Sequence, residues 1–310
     1  MTGRVVVLTG GVGGAKLVEG LMHIVPSGAL TAIVNTGDDF RHLGLHVSPD
    51  IDTLLYTLSG KANREQGWGR AGESWAFMAA LRELGGEDWF ALGDGDVALH
   101  VWRTQRLSQG EPLSAIMREV AARWGVQPAV LPMTDDTIAT RLFTDAGDLA
   151  FQDYFVRLRC EPRAERISFQ GAEAAIPAPG VIAAIDAADA ILIAPSNPYL
   201  SVDPILAVPG IAKALRDARA PVVAVSPIVG GTSVKGPTAK LMRELGVPID
   251  NEAIARHYGA MLDGLLVHGD DAAPGWLAIG RTDTLMPETG DRIRVAAAAL
   301  ELAGSIGAGA

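Results

Sequence analysis

Among its 310 residues the chain has a single cysteine, Cys160. One thiol can make neither an intrachain disulfide nor a cysteine-based zinc cluster. Basic residues are scarce. Lys and Arg total 26 against 36 Asp and Glu, for a formal net charge of −10. That balance argues against wrapping nucleic acid phosphates, which needs a basic face. No apolar run reaches the roughly 20 uninterrupted residues of a membrane span, and the N-terminus runs from Arg4 through a short apolar stretch into glycines without a signal-peptide pattern. The expectation is a cytoplasmic protein with no membrane or nucleic acid partner. What is present is a folded chain: 48% hydrophobic and 20% charged residues exclude disorder. At about 150 residues per domain, one large domain or two are expected.

Short β-branched runs alternate with helix-length segments. Arg4–Thr9 and Leu30–Asn35 read as strands, as do the apolar runs 190–194, 221–225 and 264–267. Runs of this kind suit strands buried on both faces, and their spacing implies β-α-β units in a parallel sheet. Val18, Leu21, Met22 and Val25 fall on one helical face; Leu113, Ile116, Met117, Val120 and Trp124 mark a second amphipathic helix. From 129 to 170 short alternating patterns, including Ile138 to Thr144 and Leu149 to Leu158, predict a small β-rich insertion. The α/β core is thus expected over 1–128 and 171–303, with a helix over 292–303 and a frayed tail over 304–310.

Three polar constellations could carry chemistry. Gly10-Gly-Val-Gly-Gly14, ahead of Lys16, joins a strand to a helix, where backbone N–H groups can meet a phosphate. Ala15 and Leu17 break the Walker A pattern, and Lys16 stands where a dinucleotide fingerprint needs its third glycine. A tight turn without ligand is the plainer alternative, although four glycines in five positions exceed what a turn needs.

Acidic residues form the second group: Asp38 and Asp39 after the second strand, then Asp50 and Asp52. The first pair falls at a strand's carboxyl end, where open parallel sheets bind ligands. The second opens a helix with Ser48 as expected N-cap and Pro49 in the first turn, so macrodipole compensation is its plain reading. Four carboxylates near a phosphate loop also suit Mg²⁺, which takes one or two carboxylates plus phosphate oxygens. The third group is a pair of polar strand ends, Ser196-Asn197 and Ser226 with Gly230-Gly231, the latter followed by Lys235. Both should face one crevice. Trp68, Trp75 and Trp89 read as core, His100 as structural, His257 and Tyr258 as helix-end residues, and His42 and His46 as candidates to line a site.

These residues resemble the 2-phospho-L-lactate transferase (CofD) family. The resemblance is carried by Gly10–Lys16, Val34–Phe40, His42–Thr53, Phe151–Phe155, Ser196–Pro198 with Asp203–Pro209, Ser226–Gly230, Lys235–Pro237 and Asp283–Met286. It implies a Rossmann-like, Mg²⁺-dependent homodimeric enzyme of coenzyme F-420 biosynthesis. Such an enzyme joins the deazaflavin Fo to a GDP-activated acid and releases GMP. The acid is phospholactate, or its phosphoenolpyruvate or 3-phosphoglycerate equivalent.

By the resemblance Asp52 and Asp39 are the expected catalytic residues, and Asp38, Asp39 and Asp52 the metal ligands. Asp50, His42, His46 and Arg103 are expected to contact Fo or the donor. Gly10, Gly11, Gly13, Gly14, Lys16, Ser196, Asn197, Ser226, Gly230 and Lys235 are the phosphate and nucleotide candidates. Gly95 stands where the family usually has arginine. As part of a helix's first turn, it is expected to tolerate that arginine with little strain. The competing reading is a non-catalytic regulator that binds nucleotide sugars, from a related family with a similar glycine loop. A NAD-dependent oxidoreductase is a distant third.

Overall fold

A computed structural model describes residues 3–309. The first half of the chain runs β1 (Val5–Thr9), α1 (Gly11–Met22), β2 (Leu30–Val34), β3 (Phe40–His42), β4 (Leu45–Val47), α2 (Pro49–Leu58), α3 (Ala76–Glu83), α4 (Asp94–Ser108) and α5 (Leu113–Arg123). The middle holds β5 (Ala129–Pro132), β6 (Ala139–Thr144), β7 (Gly147–Ala150), β8 (Ala164–Gln170), α6 (Val181–Asp186), β9 (Ala190–Ile193), α7 (Asp203–Ala207) and α8 (Ile211–Asp217). The last third comprises β10 (Val222–Val225), β11 (Ile228–Val229), β12 (Thr232–Ser233), α9 (Thr238–Glu244), α10 (Asn251–Tyr258), β13 (Gly264–His268), β14 (Ala278–Thr282) and α11 (Thr289–Gly309).

Seven strands form one parallel sheet in the order β14-β13-β10-β9-β1-β2-β5. The fold is a Rossmann-like α/β architecture with helices on both faces. In β1 the side chains alternate: Val5 and Val7 enter a core shared with α1, α2, α5 and α11. Val6 and Leu8 enter the opposite core, which takes in α6, α8, α10 and the small sheet. Double-sided burial explains why these strands read as continuous apolar runs.

From β1 the chain first builds outward through β2 and β5, then returns to lay β9 on β1's other side. The order therefore reverses between β1 and β9. Such a switch point opens a crevice at the strands' carboxyl ends.

Three sequence expectations are corrected. The insertion does not begin at 129, because β5 pairs in parallel with β2 as an edge of the main sheet. The separate antiparallel sheet is β7-β6-β8, covering 139–170. Second, the alternating stretch from Leu149 to Leu158 stays extended only to Ala150; Asp153–Arg157 coil into a wide helical turn. Third, the tail expected to fray continues α11 to Gly309. Val295, Ala299 and Leu302 of that helix bury against the core that also takes in α1, and tertiary packing holds a helix end that glycines would otherwise loosen.

Candidate active site

A cleft of about 800 Å³ opens at the switch point. The glycine loop forms one wall. Gly11 adopts φ +65°, a left-handed conformation that favours glycine. A Cβ on Gly10 would lie 2.5 Å from Asp50 Oδ2, and one on Gly13 2.8 Å from the Pro195 carbonyl oxygen. Gly14 faces away from the cleft; a side chain there would strike Thr9, so its role is close helix–strand packing. The α1 N-terminus has no side-chain cap from its N-cap residue Gly10 and no acidic residue in its first turn. Its N–H groups are thus suited to an anion.

Ser196 acts on this loop. Its hydroxyl donates to the Gly10 carbonyl at 2.8 Å and accepts from the Gly10 N–H at 3.2 Å, bridging the ends of β1 and β9. The Gly11 N–H donates to Asp50 Oδ1 at 2.8 Å, and Asn35 Nδ2 donates to Asp50 Oδ2 at 3.0 Å. Asp50 therefore ties the loop to β2 and α2. Burial pushes its carboxyl up to about 6. Asp38, buried beside it, is raised well above the ordinary carboxylate range, first by burial and then by the Asp50 charge. Its Oδ1 has no hydrogen-bond partner.

The other two carboxylates are engaged. Asp52 receives two bonds from Arg103, Nη1 at 2.7 Å and Nη2 at 2.8 Å. Arg103 is fully buried, donates also to the His46 carbonyl at 3.2 Å, and does not reach the cleft. Asp39 Oδ2 accepts from Ser48 Oγ at 2.7 Å and lies 3.1 Å from His46 Nε2. Ser48 thus stands at the α2 N-cap position but gives its hydroxyl to Asp39. His42 packs edge-on against Trp89 and Phe90, with ring centroids 5.2 and 5.7 Å away.

Of the expected site residues, Gly10, Gly11, Gly13, Lys16, Asp38, Asp50, Asp52, Ser196, Asn197, Ser226 and Lys235 border the cleft. Asp39, His42, His46 and Arg103 stand behind its wall and support it. Gly230 lies outside, with its N–H bonded to Asp271 at 2.9 Å. Ser226 Oγ is engaged with Asn251 at 2.6 Å. Asn197 Oδ1 caps the turn at Tyr199, 3.0 Å, while its buried Nδ2 has no partner. Lys16 and Lys235 form no ion pair among the described residues. Burial, followed by the charges of Arg292 and Lys235, lowers the Lys16 ammonium pKa.

No three His, Cys, Asp or Glu side chains converge as a ready metal cluster among the described residues. Of the expected ligand trio, Asp52 is paired with Arg103 and Asp39 with Ser48 and His46, while Asp38 lies beside Asp50. An orphaned buried oxygen and two carboxyls raised by burial are the features a cation would relieve.

Sequence reasoning missed the aromatic end of the cleft. Trp68 and Trp75, read as core, are 50% and 42% exposed, and Trp68, Trp89, Phe90, Phe151 and Phe155 line the cavity. Tyr56, Asp96 and His100 line it as well. Tyr56 is one turn beyond Asp52 on α2, a spacing that could have flagged it. Gly95 proves crowded: its N–H donates to Glu73 at 2.6 Å, and a Cβ would overlap the Arg70 guanidinium. An arginine there must displace the tip of the Arg70 side chain, while the helical backbone at Gly95 suits any residue, as expected.

The family described as 2-phospho-L-lactate transferase CofD matches residues 5–302. The chain belongs to the CofD family. It is similar to the phosphoenolpyruvate transferase of Streptomyces coelicolor, 47% identical over 275 residues, covering 87% of this chain and 86% of that one. Its likeness to the phosphoenolpyruvate transferase of Nocardia farcinica is 41% over 316 residues, covering 97% and 95%. Protein BH3568 from Bacillus halodurans shares the fold, with a TM-score of 0.59 at 22% identity, covering 88% of this chain and 82% of that one. As a CofD-family chain this is a transferase, and none of its described helices is long and apolar enough to cross a membrane.

Proposed function

We propose that the chain transfers a phospho-acid group from a GDP-activated donor to the ribityl hydroxyl of the deazaflavin Fo, releasing GMP, in coenzyme F-420 biosynthesis. The observation that carries this reading is what lines the cleft. One part is a helix N-terminus, with its Gly11 N–H held by Asp50, together with Lys16 and Lys235; the other is an aromatic wall. A diphosphate suits the first and a planar ring the second. The Streptomyces and Nocardia relatives, both phosphoenolpyruvate transferases by name, favour the phosphoenolpyruvate form of the donor.

In this reading the N–H groups of Val12 and Gly13 bind the diphosphate oxygens, and Lys16 and Lys235 balance their charge. Asp38 and Asp50 would hold Mg²⁺, which supplies charge neutralisation at the phosphates. Asp52 orients the attacking hydroxyl. Arg103 fixes its carboxylate, and each oxygen keeps a lone pair for a substrate O–H. Phosphoryl transition states are loose, so positioning and charge outweigh a strong base. The guanosine half falls to the 196–198 and 226–237 segments, where Asn197 Nδ2 is an unused donor. A homodimer in the cytoplasm is part of the proposal.

Calorimetry with GDP, ADP and UDP tests the nucleotide assignment. Tightest binding of GDP is expected. A preference for UDP-sugars would instead favour the nucleotide-sugar regulator.

A further inference from the structure

Glu19 is an acidic residue buried in α1, only 4% exposed. It follows Lys16 by three residues, a helical spacing at which a carboxylate and a lysine ordinarily pair. Here they do not. Arg64 Nη2 donates to Glu19 Oε1 at 2.8 Å, and Arg292 Nη1 donates to Oε2. Both carboxylate oxygens are spent on arginines from distant parts of the chain.

Each arginine is brought there by a specific feature. Gly20 lets α11 approach α1 closely, since a Cβ on it would strike the Arg292 carbonyl. Arg292 is itself buried, and its Nη2 donates to the Pro287 carbonyl at 3.2 Å. Arg64 belongs to the 61–75 segment, which runs on to Gly67. A Cβ on Gly67 would lie 3.2 Å from Lys235 Nζ, so this segment meets both α1 and the lysine on the other side of the phosphate end. The group of Glu19, Arg64 and Arg292 carries one positive charge in excess. Glu288 is the other carboxylate whose charge bears on Lys16, and among the described residues it makes no ion pair with it.

We propose that Arg64 and Arg292 are positioning residues: by occupying Glu19 they keep the Lys16 ammonium free for an anionic ligand at the glycine loop. A Glu19 oxygen released from Arg64 would draw Lys16 along α1 and away from the cleft. The freedom of Lys16 therefore depends on the 61–75 segment lying in place against α1. The transferase reading enters only in naming the anion, the diphosphate of the donor.

Two measurements test this on wild type, Arg64→Ala, Arg64→Lys, Lys16→Gln and the doubles Arg64→Ala/Glu19→Gln and Arg64→Ala/Lys16→Gln. The first is the rate of Lys16 acetylation by acetic anhydride, read by peptide mass spectrometry. It should fall about 5-fold in Arg64→Ala, because an ion-paired ammonium gives up its proton less readily, and recover when Glu19→Gln is added. The second is calorimetry with GDP and with pyrophosphate. Arg64→Ala should weaken both by about 5-fold, as for one partly exposed ion pair diverted. Adding Glu19→Gln should restore them, and Arg64→Lys, which keeps the pair, should match wild type. In the Lys16→Gln background Arg64→Ala should change neither affinity by more than about 2-fold, as expected when coupled residues share one effect.

An equal loss of affinity with and without Lys16 would mean that the Arg64 charge acts at long range, and would overturn the proposal. So would unchanged Lys16 acetylation in Arg64→Ala, the result expected if the pair only anchors the segment. Should Glu19→Gln fail to fold with Arg292 unmatched, the comparison in the Lys16→Gln background and the acetylation of Arg64→Ala still decide. A wild-type chain that binds pyrophosphate but not GDP would leave the positioning intact and defeat the transferase reading; one that binds neither would defeat both.

Discussion

At the scale of single residues, the four acidic positions separate by what surrounds them. Asp52 is matched by a buried arginine, whereas Asp38 is a buried carboxyl beside another. Opposite stability effects follow from that contrast. Asp52→Asn should lower kcat by ~10²-fold or more and also lower Tm, since it leaves the Arg103 charge without its partner; breaking a buried pair typically costs about 3–5 kcal/mol. Asp38→Asn should abolish turnover yet raise Tm, because it removes a carboxyl that burial and Asp50 both oppose. Thermal melts and kinetics on the same preparations check both, and a Tm fall in Asp38→Asn contradicts the assignment. Gly95→Arg is a further residue-scale case. Because a side chain there moves only the flexible Arg70 tip from Glu73, Tm should fall only slightly, and a large Tm drop in thermal melts would contradict that.

Elements explain why some of this was legible and some was not. The apolar runs of β1, β2, β9, β10 and β13 announce a buried parallel sheet because both their faces are covered. β14 escaped since Ala278, Gly280 and Arg281 break the apolar run at a sheet edge. β5 escaped for a similar reason, being a short edge strand next to the antiparallel insertion. The β3–β4 hairpin turns at Leu43 and Gly44, both with positive φ; leucine is an unusual first turn residue, so no Asn-Gly signal announced it. The acidic and glycine motifs were legible as local patterns. Their partners were not, because Arg103 and His100 reach Asp52 from another helix some 50 residues later. The strap over 61–75 likewise has no sequence period. It turns at Gly67, Gly69 and Gly72, all at positive φ, and brings Trp68 to the cleft. Trp68→Ala should raise KM for Fo several-fold and leave Tm nearly unchanged, since that ring is half exposed and contributes little to the core. An equal KM in steady-state assays would remove the strap from the acceptor site.

For the whole molecule, charge is the governing quantity. A chain of net charge −10 can attract an anionic donor only through local devices, which in the proposed reading are the α1 N-terminus, two lysines and an ion between Asp38 and Asp50. Asp50 binds its proton more tightly folded, at about 6, than unfolded, at about 4. Its contribution to stability is therefore present at low pH and lost as pH rises from about 4 through about 6. The Asp38 shift, in the same direction, extends that loss upward. At pH 7.5, added Mg²⁺ should raise Tm, and Asp50→Asn should blunt both the pH dependence and the Mg²⁺ effect; melts at pH 5 and 7.5 with and without the ion measure this. The central claim concerns the reaction itself, and one incubation tests it most directly. The chain is mixed with Fo, Mg²⁺ and each GDP-activated donor (phospholactate, phosphoenolpyruvate and 3-phosphoglycerate forms), and products are read by mass spectrometry. The account predicts GMP and an Fo–phospho-acid conjugate in equal amounts, fastest with the phosphoenolpyruvate form and absent without a divalent ion. No conjugate with any donor, from a folded chain that binds UDP-sugars, would contradict it.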